Sequence, residues 1–239
     1  LIKSSLSRRE LKRKAVSANS KKVLGIVKRL LRTPVLSIDL DGTLIKLPIE
    51  WRLVYNEARR RGLLKEGEWL FSTMFKLRKL DQEKARLLHK LVEKYEVNAV
   101  YQVKKTKELV KNFTALRELL PYLKVAVVTK QSRRAASTVI KRLGICEYID
   151  LLVTREDAIL REEQLRIISN DLGQVGVHIG DNIVDVISAL RVKAEPALIA
   201  SSNVDIRRGL MMGISVFKST NYFLKCICMC LRQLKGREF

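Results

Sequence analysis

Val35-Leu36-Ser37-Ile38-Asp39-Leu40-Asp41-Gly42-Thr43 is an apolar run of strand character that opens directly into a loop carrying two carboxylates two residues apart. In a strand, residues i and i+2 share a face, and in open α/β sheets the loops at the carboxyl ends of strands are where ligands bind. Gly42 allows a backbone turn that other residues resist, and the Thr43 hydroxyl can bond back into the loop. An ordinary Asp-Gly turn closing a strand would show the same five residues. The reading therefore turns on what lies downstream.

Two further stretches end alike. Val125-Ala126-Val127-Val128-Thr129-Lys130-Gln131 is a short apolar strand followed by a hydroxyl and a cation, a pair suited to phosphate oxygens. Val175-Gly176-Val177-His178-Ile179-Gly180-Asp181-Asn182-Ile183-Val184-Asp185 is a strand followed by a glycine and two more acids. Carboxylates converging in one cleft repel one another unless a cation sits among them, and hard carboxylate oxygens suit Mg²⁺. A divalent metal is expected.

In order and spacing these residues resemble the haloacid dehalogenase-like (HAD) hydrolase superfamily over residues 34–217, with Asp39–Thr43 as its first motif, Thr129 as its second, and Gly180-Asp181 with Asp185 as its fourth. The resemblance implies a Mg²⁺-dependent phosphatase. Asp39 would attack phosphorus and form an aspartyl-phosphate, one way a carboxylate divides a difficult step. Asp41 would protonate the leaving alcohol and later deprotonate water, so neighbouring acids should raise its pKa. Asp39, the Asp41 carbonyl, Asp181 and Asp185, the last directly or through water, would hold the metal. Gly42, Thr43, Thr129 and Lys130 would surround the phosphoryl group. Asp41 also favours phosphate chemistry over dehalogenation, because a halide leaves without a proton. Transfer to an acceptor other than water, as in the family's mutases, stays open.

The family's third motif, a Lys at the start of the helix before the fourth motif, is absent. Residues Thr154–Leu165 contain no Lys and no Pro, and the expected position falls near Ile159. Arg161 is the nearest cation and is taken as the catalytic one, with Arg155 and Lys130 as alternatives. Arg binds phosphate bidentately, but its planar fork is no simple substitute for an ammonium. If both arginines are solvated helix charges, the cation site is weakened and the protein is slow or inactive.

Strand-like runs at 34–38, 123–128, 149–153, 175–179, 196–200 and 214–217, separated by helix-period segments at 133–143, 157–171 and 183–191, predict an α/β fold, a doubly wound and mostly parallel sheet. Residues 34–46 and 121–239 would form this Rossmann-like core. Residues 47–120 break the alternation and read as helical, with Asp81 as an N-cap and Leu87, Leu88, Leu91, Val92, Val110, Phe113 and Leu116 at helical spacing. In the family such an insertion is a cap that closes over the site and selects substrate. Its cations, Arg59-Arg60-Arg61, Lys76, Arg78 and Lys79, face either substrate or solvent.

The chain of 239 residues carries 47 Lys and Arg against 25 acids, a net charge of +22. Eleven of those cations lie in the first 33 residues. Within that segment, 23–32 reads as a basic amphipathic helix packed in part on the core. The charge is compatible with nucleic acid as a partner, so two alternatives stand beside a small phosphorylated substrate: a phosphatase of nucleotides or nucleic-acid ends, and a degenerate nucleic-acid-binding member. No helix-turn-helix, zinc-finger or aromatic RNA-binding pattern is present. No run reaches the roughly 20 apolar residues of a membrane span, and no signal-peptide pattern opens the chain, so a cytoplasmic monomer or homodimer is expected. Cys226, Cys228 and Cys230 lack the spacing of common zinc sites and, with Cys146, read as reduced thiols, in a packed terminal helix or dimer contact. His178 reads as a satisfied core residue and His89 as a cap-helix residue.

Overall fold

The computed structural model describes residues 21–104, 106–200 and 202–235. The basic stretch 1–20 lies outside them. Six strands, β1 (Val35–Asp39), β2 (Lys124–Val128), β3 (Leu151–Val153), β4 (Val177–Gly180), β5 (Glu195–Ile199) and β6 (Ser215–Phe217), form one sheet in the order β3-β2-β1-β4-β5-β6. Every pairing is parallel. This is the doubly wound order in which β1 and β4 flank the topological switch point, the crevice where such sheets bind ligands. The motif-bearing strands β1, β2 and β4 are therefore central.

A parallel sheet is covered on both faces, which explains why β1 is buried at all five residues. The two-residue period divides them. Leu36 and Ile38 pack with Val125, Val127, Val177 and Ile179 on one face. Val35 packs with Ala126, Val128 and Val153 on the other, under Leu165 and Ile168 of the helix that follows β3. Each such aliphatic side chain contributes about 1.5–3 kcal/mol by leaving water. Ser37 and Asp39 share the parity of Val35, so Asp39 stands on the face covered by that helix.

The helices are α1 (residues 21–32), α2 (Trp51–Arg60), α3 (Leu70–Leu80), α4 (Gln82–Val100), α5 (Lys107–Leu119), α6 (Arg133–Leu143), α7 (Arg161–Leu172), α8 (Ile183–Arg191), α9 (Asn203–Met211) and α10 (Thr220–Lys235). In α1, Ile26, Val27 and Leu30 are fully buried. Lys22 donates to the Ile214 carbonyl and Arg29 to those of Gly176 and Lys193. α2 to α5 all lie between β1 and β2. α4 packs against α2, α3 and α6, whereas α5 lies along α10. Asp81 caps α4 through the Lys84 N–H at 3.0 Å. Leu88, Leu91 and Val92 are buried as the spacing predicts, but Leu87 is on the exposed side.

One boundary differs consequentially from the sequence reading. The helix expected from residue 157 begins at Arg161. Asp157 instead folds back to accept from the Thr154 N–H and hydroxyl, making a turn, and Leu160 is extended. Arg161 thereby becomes the first helical residue.

α10 is an amphipathic helix with Phe223, Leu224, Ile227, Cys228 and Leu231 buried. Cys226 and Cys230 are only partly covered. Cys226 and Cys230, four residues apart, share one side of the helix while Cys228 is turned to the core, so the three thiols do not converge. Among the described residues no helix is long and apolar enough to cross a membrane.

Candidate active site

Asp39, Asp41, Thr129, Lys130, Arg161, Asp181 and Asp185 line one cavity of about 170 Å³ at the carboxyl ends of β1, β2 and β4. Trp51 of α2 and Phe71 of α3 form its outer wall, with their rings edge to face at 5.9 Å.

The β1 loop fixes the first two acids. Asp39 is buried, and its Oδ2 accepts from the Thr43 hydroxyl at 3.2 Å. The chain turns at once: Gly42 N–H donates to the Ile45 carbonyl, and Asp41 Oδ1 accepts from Leu47 N–H at 2.8 Å. Gly42 sits at φ +86°, and a Cβ there would lie 1.9 Å from Asp181 Oδ2. The glycine thus serves both a left-handed backbone and the close approach of a second acidic loop. Thr220, at the start of α10, closes the loop by donating to the Thr43 carbonyl at 2.7 Å.

Arg161 is the cation that reaches Asp39. Its Nη2 donates to Asp39 Oδ1, its Nε lies 2.7 Å from Asp185 Oδ1, and its Nη1 donates to Gln164 Oε1 at 2.7 Å. Gln164, one turn along α7, uses its amide nitrogen on the Thr129 and Ala158 carbonyls. Guanidinium, amide and phosphate-loop backbone are thus joined in one buried network. The other two candidate cations do different things. Arg155 is fully buried and pairs with Glu96 of α4, so it is not the partner of Asp39. Lys130 lines the cavity with its amine 5.7 Å over the Phe71 ring, and it makes no ion pair among the described residues.

Asp185 is more heavily engaged than a free ligand would be. Its Oδ1 meets Arg161 and His178 Nε2, and its Oδ2 accepts the Asn182 N–H in the capping box of α8. His178 is the satisfied core histidine expected, bonded through Nδ1 to Ser37 Oγ at 3.0 Å. Burial pushes its pKa down, and the neutral ring with the proton on Nε2 meets both partners. Asp181 stands at the cavity mouth, exposed. Thr129 is buried, and its Oγ1 accepts the Gln131 N–H at 3.1 Å, which leaves its hydroxyl proton free to donate.

One guanidinium between two buried carboxylates cannot compensate both. Burial acts to raise Asp185, but Arg161 and His178 outweigh it and hold that carboxyl below the usual range. Burial pushes Asp39 up to about 8, against the pull of Arg161 and with added push from Asp185 and Asp181. Burial likewise raises Asp41, and partial desolvation of the Asp181 carboxyl inside the cavity, with the Asp185 and Asp41 charges beside it, raises Asp181 to about 6. Burial and the nearby Arg161 lower the Lys130 amine. Four carboxylates thus face two cations, and oxygens of Asp39, Asp181 and Asp185 lie within 4.8 Å of one another. This hard-oxygen, charge-deficient set fits Mg²⁺.

A second metal-ligand cluster, His89, Glu93 and Glu156, sits between α4 and the loop after β3. There His89 Nδ1 accepts from Arg155 Nε at 3.1 Å, so the neutral ring carries its proton on Nε2, the nitrogen that faces both glutamates. That tautomer donates to carboxylates and does not bind a metal. None of Arg59, Arg60, Arg61, Lys76, Arg78 and Lys79 lines the cavity: Arg59 stacks on Tyr55, Arg61 pairs with Glu57, and Arg78 donates to the Arg155 carbonyl.

Gln164, Thr220, Glu96 and Gln131 were not recognised from the sequence. Only Gln164 left a signal, its i+3 spacing from Arg161 on a helix.

Solved structures share this arrangement of sheet and helices. A predicted phosphatase from Clostridium acetobutylicum superposes with TM-score 0.59 at 16% identity, over 82% of this chain and 99% of that one. A putative phosphatase from Clostridium difficile gives 0.54 at 16% identity, over 82% and 98%. A putative phosphoglycolate phosphatase from Lactobacillus plantarum gives 0.52 at 15%, over 81% and 99%. At such identities the likeness is one of fold. Among curated proteins none matches in sequence. The haloacid dehalogenase-like hydrolase profile matches residues 38–199, more than half of the chain and the whole span from the Asp39 loop through β5. Sheet order, the placement of the acids and this match together make the chain a member of the haloacid dehalogenase-like hydrolase family.

Proposed function

We propose that the protein is a Mg²⁺-dependent phosphatase that cleaves a small phosphate monoester through an aspartyl-phosphate on Asp39. The observation that carries this reading is the convergence of Asp39, Asp41, Thr129 and Asp181 on one small cavity, with Arg161 seated on the nucleophile. Asp39 presents a carboxylate held at one oxygen by Arg161 and at the other by Thr43. The Thr129 hydroxyl and Lys130 receive the phosphoryl oxygens, and Asp41, whose carboxyl burial raises, gives its proton to the departing alcohol. Asp39, Asp181 and the Asp41 carbonyl would hold the metal, with Asp185 joining directly or through water, while Asp185 also orients Arg161. Bound Mg²⁺ supplies the positive charge that four carboxylates lack, keeping Asp39 ionised and neutralising the phosphoryl oxygens.

Positioning and electrostatics supply most of the acceleration in phosphoryl transfer, so every group above is asked to hold a place. Asp41 favours phosphate esters over alkyl halides. Trp51 and Phe71 line a small cavity, which favours a compact substrate over a polymer. As the cap, α2 and α3 would select the alcohol. The test is phosphate release from p-nitrophenyl phosphate and a panel of sugar phosphates, nucleotides and phosphorylated oligonucleotides, with Mg²⁺ or EDTA. Wild type should turn over small esters only with Mg²⁺, and Asp39→Asn should lose at least about 1,000-fold in kcat. Activity that survives in Asp39→Asn would rule the mechanism out.

A further inference from the structure

α1 lies across the amino ends of the strands, the end of the sheet opposite the cavity. Lys22 donates to the Ile214 carbonyl before β6, and Arg29 to the carbonyls of Lys193 before β5 and Gly176 before β4, after which the chain enters β1. Val23, Ile26, Val27 and Leu30 are buried beneath the helix. Lys21, Lys28 and Arg32, at helical spacing on the other side, form one exposed row along about 18 Å of helix.

The bond from Arg29 to Lys193 joins this row to an open pocket of about 350 Å³ at the ends of α7 and α8, lined by Arg166, Ser169, Asn170, Gln174, Arg191 and Lys193. Segments 21–33, 166–176 and 191–195, which line this edge, carry eight Lys or Arg against two acids, Asp171 and Glu195. Among the described residues only Arg166 and Arg191 of these cations are ion-paired, and both use the single carboxylate of Glu162. The sequence leading into Lys21 adds six Lys or Arg against one acid within residues 1–20. Cations gathered without counter-charges repel one another, and a positive surface of this extent attracts a polyanion. The four carboxylates around Asp39 stand at the other end of the sheet, so charge is polarised along the strands.

We propose that the amino-end edge of the sheet is a docking surface for the phosphate backbone of a nucleic-acid duplex, with the α1 row tracking phosphates and the pocket at the ends of α7 and α8 seating one of them. The residues that form this edge are cations and small amides, with no aromatic ring on which the bases of a single strand would stack. Contacts of this kind read backbone charge without base sequence. A lipid surface fits less well, because the apolar face of α1 is packed into the core and is not available to enter a bilayer. The duplex is a partner and not the substrate of the small cavity, so the surface stands independently of the phosphatase reading.

The test is fluorescence anisotropy of the full chain with a labelled 20-base-pair duplex across a NaCl series. Neutralising three phosphate contacts in the triple variant Lys21→Gln, Lys28→Gln, Arg32→Gln should make the slope of log affinity against log salt shallower by about 2.7 and weaken binding at 100 mM NaCl at least about tenfold. Arg166→Gln with Lys193→Gln should make it shallower by about 1.8. A control triple with the same charge loss, Lys65→Gln, Lys79→Gln, Lys90→Gln, lies in the α2–α4 segment and should bind like wild type. All these side chains are exposed, and thermal melts of each variant should match wild type. Wild type that fails to bind the duplex in a salt-dependent way, or a control triple that loses as much as the α1 triple, overturns the proposal. So does tighter binding to phosphatidylserine vesicles than to the duplex, which would make this edge a membrane surface.

Discussion

Replacing Arg161 by Met removes the guanidinium between Asp39 and Asp185 while keeping a flexible, unbranched side chain. Both carboxylates are buried, and breaking a buried pair by deleting one partner costs about 3–5 kcal/mol, because the remaining charge is left uncompensated. For a chain of this size each kcal/mol lowers the melting temperature by about 2–4 °C, so a drop of roughly 6–20 °C is expected near pH 8 in EDTA. The pH dependence fixes the cause. Without Arg161 both acids hold their protons to higher pH in the folded state, so the variant loses stability relative to wild type as pH rises. The gap should shrink towards pH 5, where protonated acids need no cation. Thermal melts at pH 5, 6.5 and 8, with and without Mg²⁺, would measure it. Mg²⁺ should recover part of the loss at pH 8, since it supplies charge to the same carboxylates. A gap that is independent of pH would refute the argument, because the loss would then be one of packing.

Other consequences follow from the same geometry. Gly42→Ala forces Asp181 back by about 1 Å to relieve the 1.9 Å approach of the new Cβ, so kcat/KM should fall about 100-fold. The left-handed φ should cost about 1–2 kcal/mol of stability, and kinetics with a Mg²⁺ titration would separate the two effects. In metal-free wild type, Asp39 and Asp181 have folded-state pKa values raised to about 8 and about 6. Their folded forms hold protons that the unfolded chain releases, so these two groups lower stability as pH rises from about 4 to 8. Saturating Mg²⁺ should flatten that slope in thermal melts. Glu96→Gln leaves Arg155 buried and unpaired and should cost about 3–5 kcal/mol, read as a lower urea midpoint. Because Arg155 also holds the Lys130 carbonyl, KM for phosphate esters should rise in that variant.

The sequence by itself determined the sheet and its acids. A strand's apolar run and the residues at its end are adjacent in the chain, so Val35–Asp39, Val125–Thr129 and Val177–Asp181 could be read as strand and loop without knowing their neighbours. The strict two-residue period also placed Asp39 on a defined face. Which cation meets Asp39 could not be read this way. Arg155, Arg161 and Lys130 are all near in sequence to a motif. The choice among them came from a turn made by Asp157, which delays α7 until Arg161, and from Glu96, 59 residues before Arg155, which takes that arginine into the core. Glu96 and Thr220 act through neighbours that only the folded chain supplies, and no periodic pattern marks a residue whose partner is set by tertiary packing.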